Sequence, residues 1–154
     1  MRIAICSDHA GFDLKLSLVE YLEELGHDVI NFGTDSEESV DYPDFVEPLG
    51  NAIQNGKAER GIVLCGSGIG GCITANKMNG IYGSICHDVY SARQGVEHDD
   101  MNVLCLGGRI IDKELAKLLV SSFLDARFVG NDPGEERHLR RINKMKNIEK
   151  KGLS

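Results

Sequence analysis

The chain has 154 residues, 42% of them hydrophobic, and a formal net charge of −7. This size fits one domain, residues 1–154, built around a single core. The acidic balance argues against nucleic-acid or membrane-surface partners, and no apolar run approaches the length of a membrane span. Polar residues follow Met1 too soon for a secretory signal, which predicts a cytoplasmic location.

The five cysteines form neither a disulfide framework nor a structural zinc site in this interpretation. Their number is odd, and no C-x-x-C pair occurs. The thiols are therefore expected to be free.

Strand-like segments alternate with helix-like segments along the whole chain. The strand candidates are residues 2–6, 28–32, 61–65, 81–86 and 103–106. A first helix is predicted between the first two strands, with Gly26 at its end. Its apolar face carries Leu14, Leu18, Tyr21, Leu22 and Leu25.

The later helices follow the same signals. Pro43 suits the first turn of a second helix, and Gly56 follows its end. Another helix begins near Gly70, and a C-terminal basic helix is predicted at about 133–151. A late amphipathic helix is marked by Leu115, Leu118, Leu119, Ser122 and Phe123.

Five strand–helix repeats with short links predict an α/β fold. The expected architecture is a doubly wound, mostly parallel five-stranded sheet with helices on both faces, which is Rossmann-like. Ligands bind at the carboxyl ends of the strands in such sheets. That edge should therefore hold the polar residues that follow the first, third and fourth strands.

The segment from Arg60 to Cys72 carries the strongest chemical signal. A buried strand ends in the thiol of Cys65 and continues into a glycine-rich turn before a helix. Glycine allows successive N–H groups to point at one spot, and the helix dipole adds positive potential there. This arrangement predicts an anion site that also favours the thiolate form of Cys65.

The same turn has two other interpretations. Gly66, Gly68 and Gly71 satisfy G-x-G-x-x-G, and Asp88 lies near the distance expected for a ribose-binding acid, so a dinucleotide-binding module is an alternative. The turn could also be tight and bind nothing. The Gly-Lys-Ser/Thr of a Walker A loop is missing, which argues against a nucleoside triphosphate.

Further polar residues are candidates for acid–base or metal chemistry. Asp8 and His9 follow the first strand, where they could line the crevice or cap the next helix. His98, Asp99 and Asp100 are placed between a helix and the fifth strand, and His98 is a candidate general acid or base. These side chains show no recognised metal spacing, so no metal site is predicted.

Arg137 and Arg141 lie four residues apart in the basic C-terminal segment. On a helix they share one face and could grip a phosphate, although a solvated basic face has the same pattern. An acidic protein needs a local cluster of basic side chains to attract a phosphorylated metabolite, which favours the phosphate interpretation.

Several separated motifs together resemble one known family. The chain is similar to type B ribose-5-phosphate isomerases, within the family that includes the galactose-6-phosphate isomerase subunits. The resemblance covers nearly the whole chain. It rests on Ser7-Asp8-His9-Ala10-Gly11, Ser39-Val40-Asp41-Tyr42-Pro43-Asp44, Cys65-Gly66-Ser67-Gly68-Ile69-Gly70, Ala75-Asn76-Lys77 and Arg137-His138.

The resemblance implies an aldose–ketose isomerase of sugar phosphates that uses no cofactor or metal. Ribose 5-phosphate is the expected substrate, with a tetrose or hexose phosphate as the alternative. Cys65 would move the proton between C1 and C2, and His98 would open the sugar ring with Asp8 and Ser67. Family members work as homodimers or homotetramers with sites shared across an interface.

The resemblance also implies a set of substrate-binding residues. The loop backbone would stabilise the enediolate, and basic side chains would hold the phosphate. Asp99 stands where the family usually has Asn, which leaves the sugar open. The expected binding residues are His9, Tyr42, Gly66, Gly68, Ile69, Gly70, Asp99, Arg109, Arg137 and Arg141.

Overall fold

Five parallel strands form one sheet at the centre of the protein. The strands pair in the order β2, β1, β3, β5, β4, and every neighbouring pair is parallel. The computed structural model describes residues 1–152. Its strands are Arg2–Ser7 (β1), Asp28–Asn31 (β2), Arg60–Cys65 (β3), Gly83–Ile85 (β4) and Val103–Gly107 (β5).

Helices cover both faces of this sheet, which confirms the predicted fold class. A 3-10 turn at His9–Gly11 precedes the first helix. The helices are Phe12–Glu24 (α1), Pro43–Gln54 (α2), Ile69–Ala75 (α3), Val89–Asp99 (α4), Lys113–Asp125 (α5) and Glu136–Gly152 (α6). Buried side chains of α1, α4 and α5 pack on one face, and those of α2 and α3 on the other. α6 packs against α4. None of the helices in residues 1–152 is long and apolar enough to cross a membrane.

Some element predictions differ from the structure. β4 covers only three residues of the predicted 81–86 and lies at the sheet edge. His98 and Asp99 belong to the last turn of α4 and not to a loop, because the helix continues until Asp100 takes a left-handed φ of 53°. α6 begins at Glu136, whereas the sequence suggested a start near residue 133.

Two leucines predicted on apolar helix faces are exposed. Leu25 is 49% exposed because it lies beyond the last turn of α1, next to the left-handed Gly26. Leu118 is 60% exposed because it lies outside the stripe of α5 that contains Leu119 and Phe123, both fully buried. The hydrophobic periodicity was correct for the centre of each stripe and wrong at its margin.

The strand order fixes where a ligand can bind. β1 pairs with β2 on one side and with β3 on the other, so the chain winds away from β1 in opposite directions. The loops after β1 and β3 therefore diverge and leave a crevice between them. Ser7 pairs with Leu64 in the sheet register, which puts Asp8 and Cys65 at the same edge.

Candidate active site

A cavity opens at the carboxyl ends of β1 and β3. Its volume is about 410 Å³, which is large enough for a small phosphorylated sugar. The strand ends, the glycine loop and the loop after β5 together form its wall. It is lined by Asp8, Tyr42, Cys65, Gly66, Ser67, Gly70, Arg109 and Ile110.

Cys65 lies at the base of this cavity. It is the last residue of β3 and is only 4% exposed, so the sheet holds its backbone and the cavity limits access to its thiol. The Cys65 carbonyl accepts a hydrogen bond from Gly108 N–H at 2.7 Å. This bond ties β3 to the turn after β5 and fixes the position of the thiol.

The loop after Cys65 presents backbone donors to the cavity. Gly68 has a φ of 83°, a left-handed conformation that glycine adopts without strain. Among residues 1–152, the N–H groups of Gly66, Ser67 and Gly68 have no hydrogen-bond acceptor. Ile69 N–H instead donates to Ser67 Oγ at 3.3 Å, and the Ile69 side chain is exposed. The loop therefore keeps several donors free for an anionic group.

Asp8 serves two structural purposes at once. Its Oδ1 accepts from Ala10 N–H at 2.9 Å and from Gly11 N–H at 3.1 Å, which is the local capping expected as one alternative. The side chain is also buried against the cavity wall. Capping and lining are thus compatible, because one carboxylate oxygen caps and the other is left for a ligand.

His9 has one defined tautomer. Its Nδ1 accepts from Val40 N–H at 3.2 Å, so the proton resides on Nε2, which is a donor. His9 lines an adjoining cavity of about 500 Å³ that shares Asp8 and Tyr42 with the first. The two cavities are therefore parts of one site, with Tyr42 between them.

Tyr42 and Arg109 both line the site. The Tyr42 ring lies directly against Gly70, where any side chain on Gly70 would collide with it. Arg109 N–H donates to the Gly66 carbonyl at 3.0 Å, which holds the arginine beside the glycine loop. No carboxylate among residues 1–152 lies within ion-pair distance of the Arg109 guanidinium, so this charge is open to an anion.

The other predicted site residues lie elsewhere in the chain. His98, Asp99, Arg137 and Arg141 are not among the described residues that line the Cys65 cavity. Asp99 lines a separate cavity of about 410 Å³. Arg137 pairs with Glu135 at 2.9 Å. One chain therefore brings together the residues of the β1–β3 edge and leaves those of α4 and α6 apart.

His98 contacts two residues to which the sequence analysis assigned no role. Its Nδ1 lies 3.0 Å from Gln94 Nε2, one turn earlier on α4. Its ring stacks on the ring of His138 from α6, with centroids 4.0 Å apart and planes at 19°. His138 belongs to a quoted motif, but its burial in an otherwise charged helix gives no signal in the sequence.

Two features explain other sequence signals. Asp88 caps α4 by accepting from Ser91 N–H at 2.7 Å, so it is an ordinary helix cap in this fold.

A hydrogen bond from the Cys105 thiol lowers the pKa of Cys72 to about 6, with further help from Ile85 and Asn76. Burial raises the pKa of Cys6, and hydrogen bonding to Cys72 followed by burial raises that of Cys105.

The geometry agrees with what comparisons with known proteins show. Residues 3–145 match the family described as Ribose/Galactose Isomerase. The chain belongs to the ribose/galactose isomerase family. It is a sugar phosphate isomerase, and the dinucleotide-binding alternative is wrong.

Individual members of the ribose/galactose isomerase family are similar over nearly the whole chain. D-erythrulose-4-phosphate isomerase of Pectobacterium atrosepticum is 45% identical over 131 residues, which cover 84% of this chain and 86% of the relative. Ribose-5-phosphate isomerase B of Escherichia coli is 39% identical, covering 97% of both chains. The solved structure of ribose-5-phosphate isomerase B from Clostridium thermocellum is 44% identical with a TM-score of 0.93, covering 98% of this chain and 99% of that one.

Proposed function

We propose that this enzyme interconverts ribose 5-phosphate and ribulose 5-phosphate by proton transfer through Cys65. The observation that carries the proposal is the nearly buried thiol beneath a loop of unengaged N–H donors. The reaction moves a proton between two carbons of one molecule and exchanges no electrons with another, so it needs no redox cofactor. A cytoplasmic location is part of the proposal, since a reducing compartment keeps free thiols such as these five reduced.

In the proposed mechanism the Cys65 thiolate removes the proton from C2 of the open-chain aldose. Electrons move from the C2–H bond into the C1 carbonyl, which gives an enediolate with its negative charge on O1. The proton of the O2 hydroxyl then passes to O1, and the resulting thiol returns its proton to C1 as the C2 carbonyl forms. The loop N–H groups of Gly66, Ser67 and Gly68 stabilise the negative oxygen. Preorganised donors lower the energy of this anion more than that of the neutral sugar, which is how they accelerate the reaction.

The charged side chains divide between the phosphate and the sugar ring. His9 Nε2–H and the free Arg109 guanidinium lie at the same site as the thiol and would bind the phosphate, together with Arg137 and Arg141. His98, with Asp8 and Ser67, would open the furanose ring before the carbon acid reacts. These roles require His98 and the α6 arginines to reach a Cys65 cavity.

We propose that a second copy of the chain supplies those residues. His98, Asp99, Arg137 and Arg141 do not line the cavity of their own chain among residues 1–152. The surfaces nearby are apolar and open: Ile73 of α3 is 57% exposed and Tyr90 of α4 is 74% exposed. A homodimer or homotetramer that buries these faces would join the two groups of residues into one complete site.

A tetrose 4-phosphate is the second candidate substrate. The 45% identical relative is named D-erythrulose-4-phosphate isomerase, and the chain carries Asp99 where the family usually has Asn. The chemistry at C1 and C2 is the same for both sugars. They differ in carbon number and in whether the aldose can form a ring.

The test is isomerase activity of the purified protein in buffer with a chelator and without added cofactor. Ribose 5-phosphate, erythrose 4-phosphate and a hexose 6-phosphate are compared by kcat/KM, and we expect ribose 5-phosphate to rank first. Cys65→Ala should lower kcat by at least about 10²- to 10⁴-fold with little change in substrate binding. Cys72→Ala is the matched control and should keep most of the activity. Near-normal turnover by Cys65→Ala would reject the thiol as the base.

A further inference from the structure

His138 is a buried imidazole that the reaction as described does not use. It is only 3% exposed, although most residues of α6 are polar or charged and open to solvent. Its ring faces His98 in a parallel stack with centroids 4.0 Å apart. Nothing else in residues 1–152 makes a ring stack of this kind.

The stack is one of three constraints on the position of the His98 ring. The α4 backbone fixes one end of the side chain, and Gln94 Nε2, a donor, contacts Nδ1 at 3.0 Å. Nδ1 must then accept, which leaves the proton on Nε2. His138 covers a face of the ring. The outcome is a half-buried imidazole with one N–H pointing away from its supports, as a general acid requires.

His138 itself is not arranged to act on a substrate. Burial lowers its pKa, and the neighbouring His98 and Arg137 lower it further against the opposing effect of Glu135. The His138 ring is therefore neutral at pH 7 and presents no charge to the ring of His98. Its Nε2 lies 3.1 Å from Glu135 Oε2 but forms no aligned hydrogen bond with any residue in 1–152.

We propose that His138 is a positioning residue that holds His98 in the orientation needed to open the sugar ring. The inference rests on the proposed function, because it assigns His138 to one step of that reaction. It concerns ring opening alone. Proton transfer at Cys65 proceeds on the open chain and does not depend on the stack.

The chemistry of the sugars separates the two steps. In a ribose 5-phosphate furanose, C1 is bonded to O4, so opening breaks the C1–O4 bond, adds a proton to O4 and removes one from O1. His98 Nε2–H supplies the proton to O4, and the free carboxylate oxygen of Asp8 accepts the proton from O1. In erythrose 4-phosphate the hydroxyl that would close this ring carries the phosphate. In ribulose 5-phosphate the corresponding O5 also carries the phosphate, so both compounds stay open.

The experiment measures ring-dependent and ring-independent reactions of the same variants. Isomerisation of ribose 5-phosphate requires opening. Isomerisation of erythrose 4-phosphate does not, and neither does exchange of the C1 hydrogen of ribulose 5-phosphate for solvent deuterium. We expect His138→Ala to lower kcat/KM for ribose 5-phosphate about 10- to 100-fold, as a misplaced catalytic group does, and to leave the exchange rate within about threefold.

Two further variants separate positioning from simple stability. His138→Phe keeps a flat ring against His98 and should retain most of the ribose 5-phosphate activity. Ile142→Ala removes a buried side chain of α6 one turn further on and leaves both rings of the stack in place, so any loss it causes should be equal in both assays.

Each other result has a definite meaning. Equal losses of isomerisation and exchange in His138→Ala, no loss of either, or a ring-selective loss in Ile142→Ala would overturn the positioning role. A wild-type protein that neither isomerises any of these sugar phosphates nor exchanges deuterium would instead reject the proposed function.

Discussion

The β1–β3 edge and the α4–α6 contact carry the two groups of predicted site residues in different ways. At the β1–β3 edge, strand ends and backbone N–H groups place Asp8 and Cys65, and sheet register fixes their spacing. In the α4–α6 region, His98 in the last turn of α4 stacks on a ring of α6, and Arg141 lies on α6. Under the proposed function, the first region would carry out the carbon chemistry, and the second would supply ring opening and additional positive charge. The proposed dimer would join these two regions from different chains into one site.

The strongest test of this division is complementation between two inactive variants. Cys65→Ala and His98→Ala should each lose most of the ribose 5-phosphate activity. In a mixed dimer, Cys65 of one chain meets His98 of the other in one intact site. Random equal mixing should therefore restore about a quarter of wild-type activity. Co-expression with two affinity tags gives the mixed species for assay.

The same experiment assigns other residues to a region. Arg109→Ala should complement His98→Ala. It should fail to complement Arg141→Ala only if Arg109 and Arg141 belong to the same half of the site. Because the structure puts Arg109 beside Cys65 and Arg141 on α6, we expect Arg109→Ala to complement Arg141→Ala. Absence of complementation in every pairing would show that each site lies within one chain.

The arginines proposed to bind the phosphate should give the next largest effect. Arg109→Ala, Arg137→Ala and Arg141→Ala should each weaken substrate capture by about 1.5–3 kcal/mol, because a charged hydrogen bond to phosphate is lost. The expected change is mainly in KM, and inorganic phosphate should compete with substrate in the wild type. Lys144→Ala, an exposed cation on α6, is the control. If Arg137→Ala and Arg141→Ala keep the wild-type kcat/KM at low salt, these α6 arginines do not bind the phosphate and their face of the helix is simply solvated.

A variant of Asp99 tests whether the α4–α6 region contacts the sugar and selects it. An ionised carboxylate only accepts hydrogen bonds, whereas an amide also donates. Asp99→Asn should shift relative kcat/KM toward ribose 5-phosphate by about 10-fold or more, which is the value of one charged hydrogen bond. The measurement is the ranking of four-, five- and six-carbon phosphates. If the ranking is unchanged, Asp99 does not contact the sugar.

The smallest expected effect concerns how α6 is anchored. Glu149 accepts from Gly80 N–H at 2.7 Å and from Tyr82 hydroxyl at 3.3 Å, which ties α6 to the segment before β4. Glu149→Ala should lower the free energy of unfolding by about 1 kcal/mol. Urea unfolding at fixed protein concentration measures this, with the exposed Lys150→Ala as control. Equal stability of the two variants would show that this anchor contributes nothing.

The sequence predicted the β1–β3 edge better than the α4–α6 contact for a physical reason. Cys65 ends a buried apolar run before a glycine turn, so strand, loop and chemistry are all encoded locally. His138 lies in a highly charged segment, and its burial depends on how α6 packs against α4, which is a tertiary property. Periodicity likewise predicted Leu119 correctly and Leu118 wrongly, because the margin of a helix face is decided by its neighbours.

The lowered pKa of Cys72 has a practical consequence for chemical labelling. The pKa of Cys72 is lowered to about 6, which favours its thiolate at pH 7, and Cys72 is half-buried on α3, whereas Cys65 is 4% exposed. An alkylating reagent should thus react first at Cys72, and inactivation by such a reagent would not identify the catalytic thiol. Labelling of Cys65 calls for a Cys72→Ala background. Conversely, Cys72 offers a selective attachment point for a fluorescent reporter one helical turn from the glycine loop.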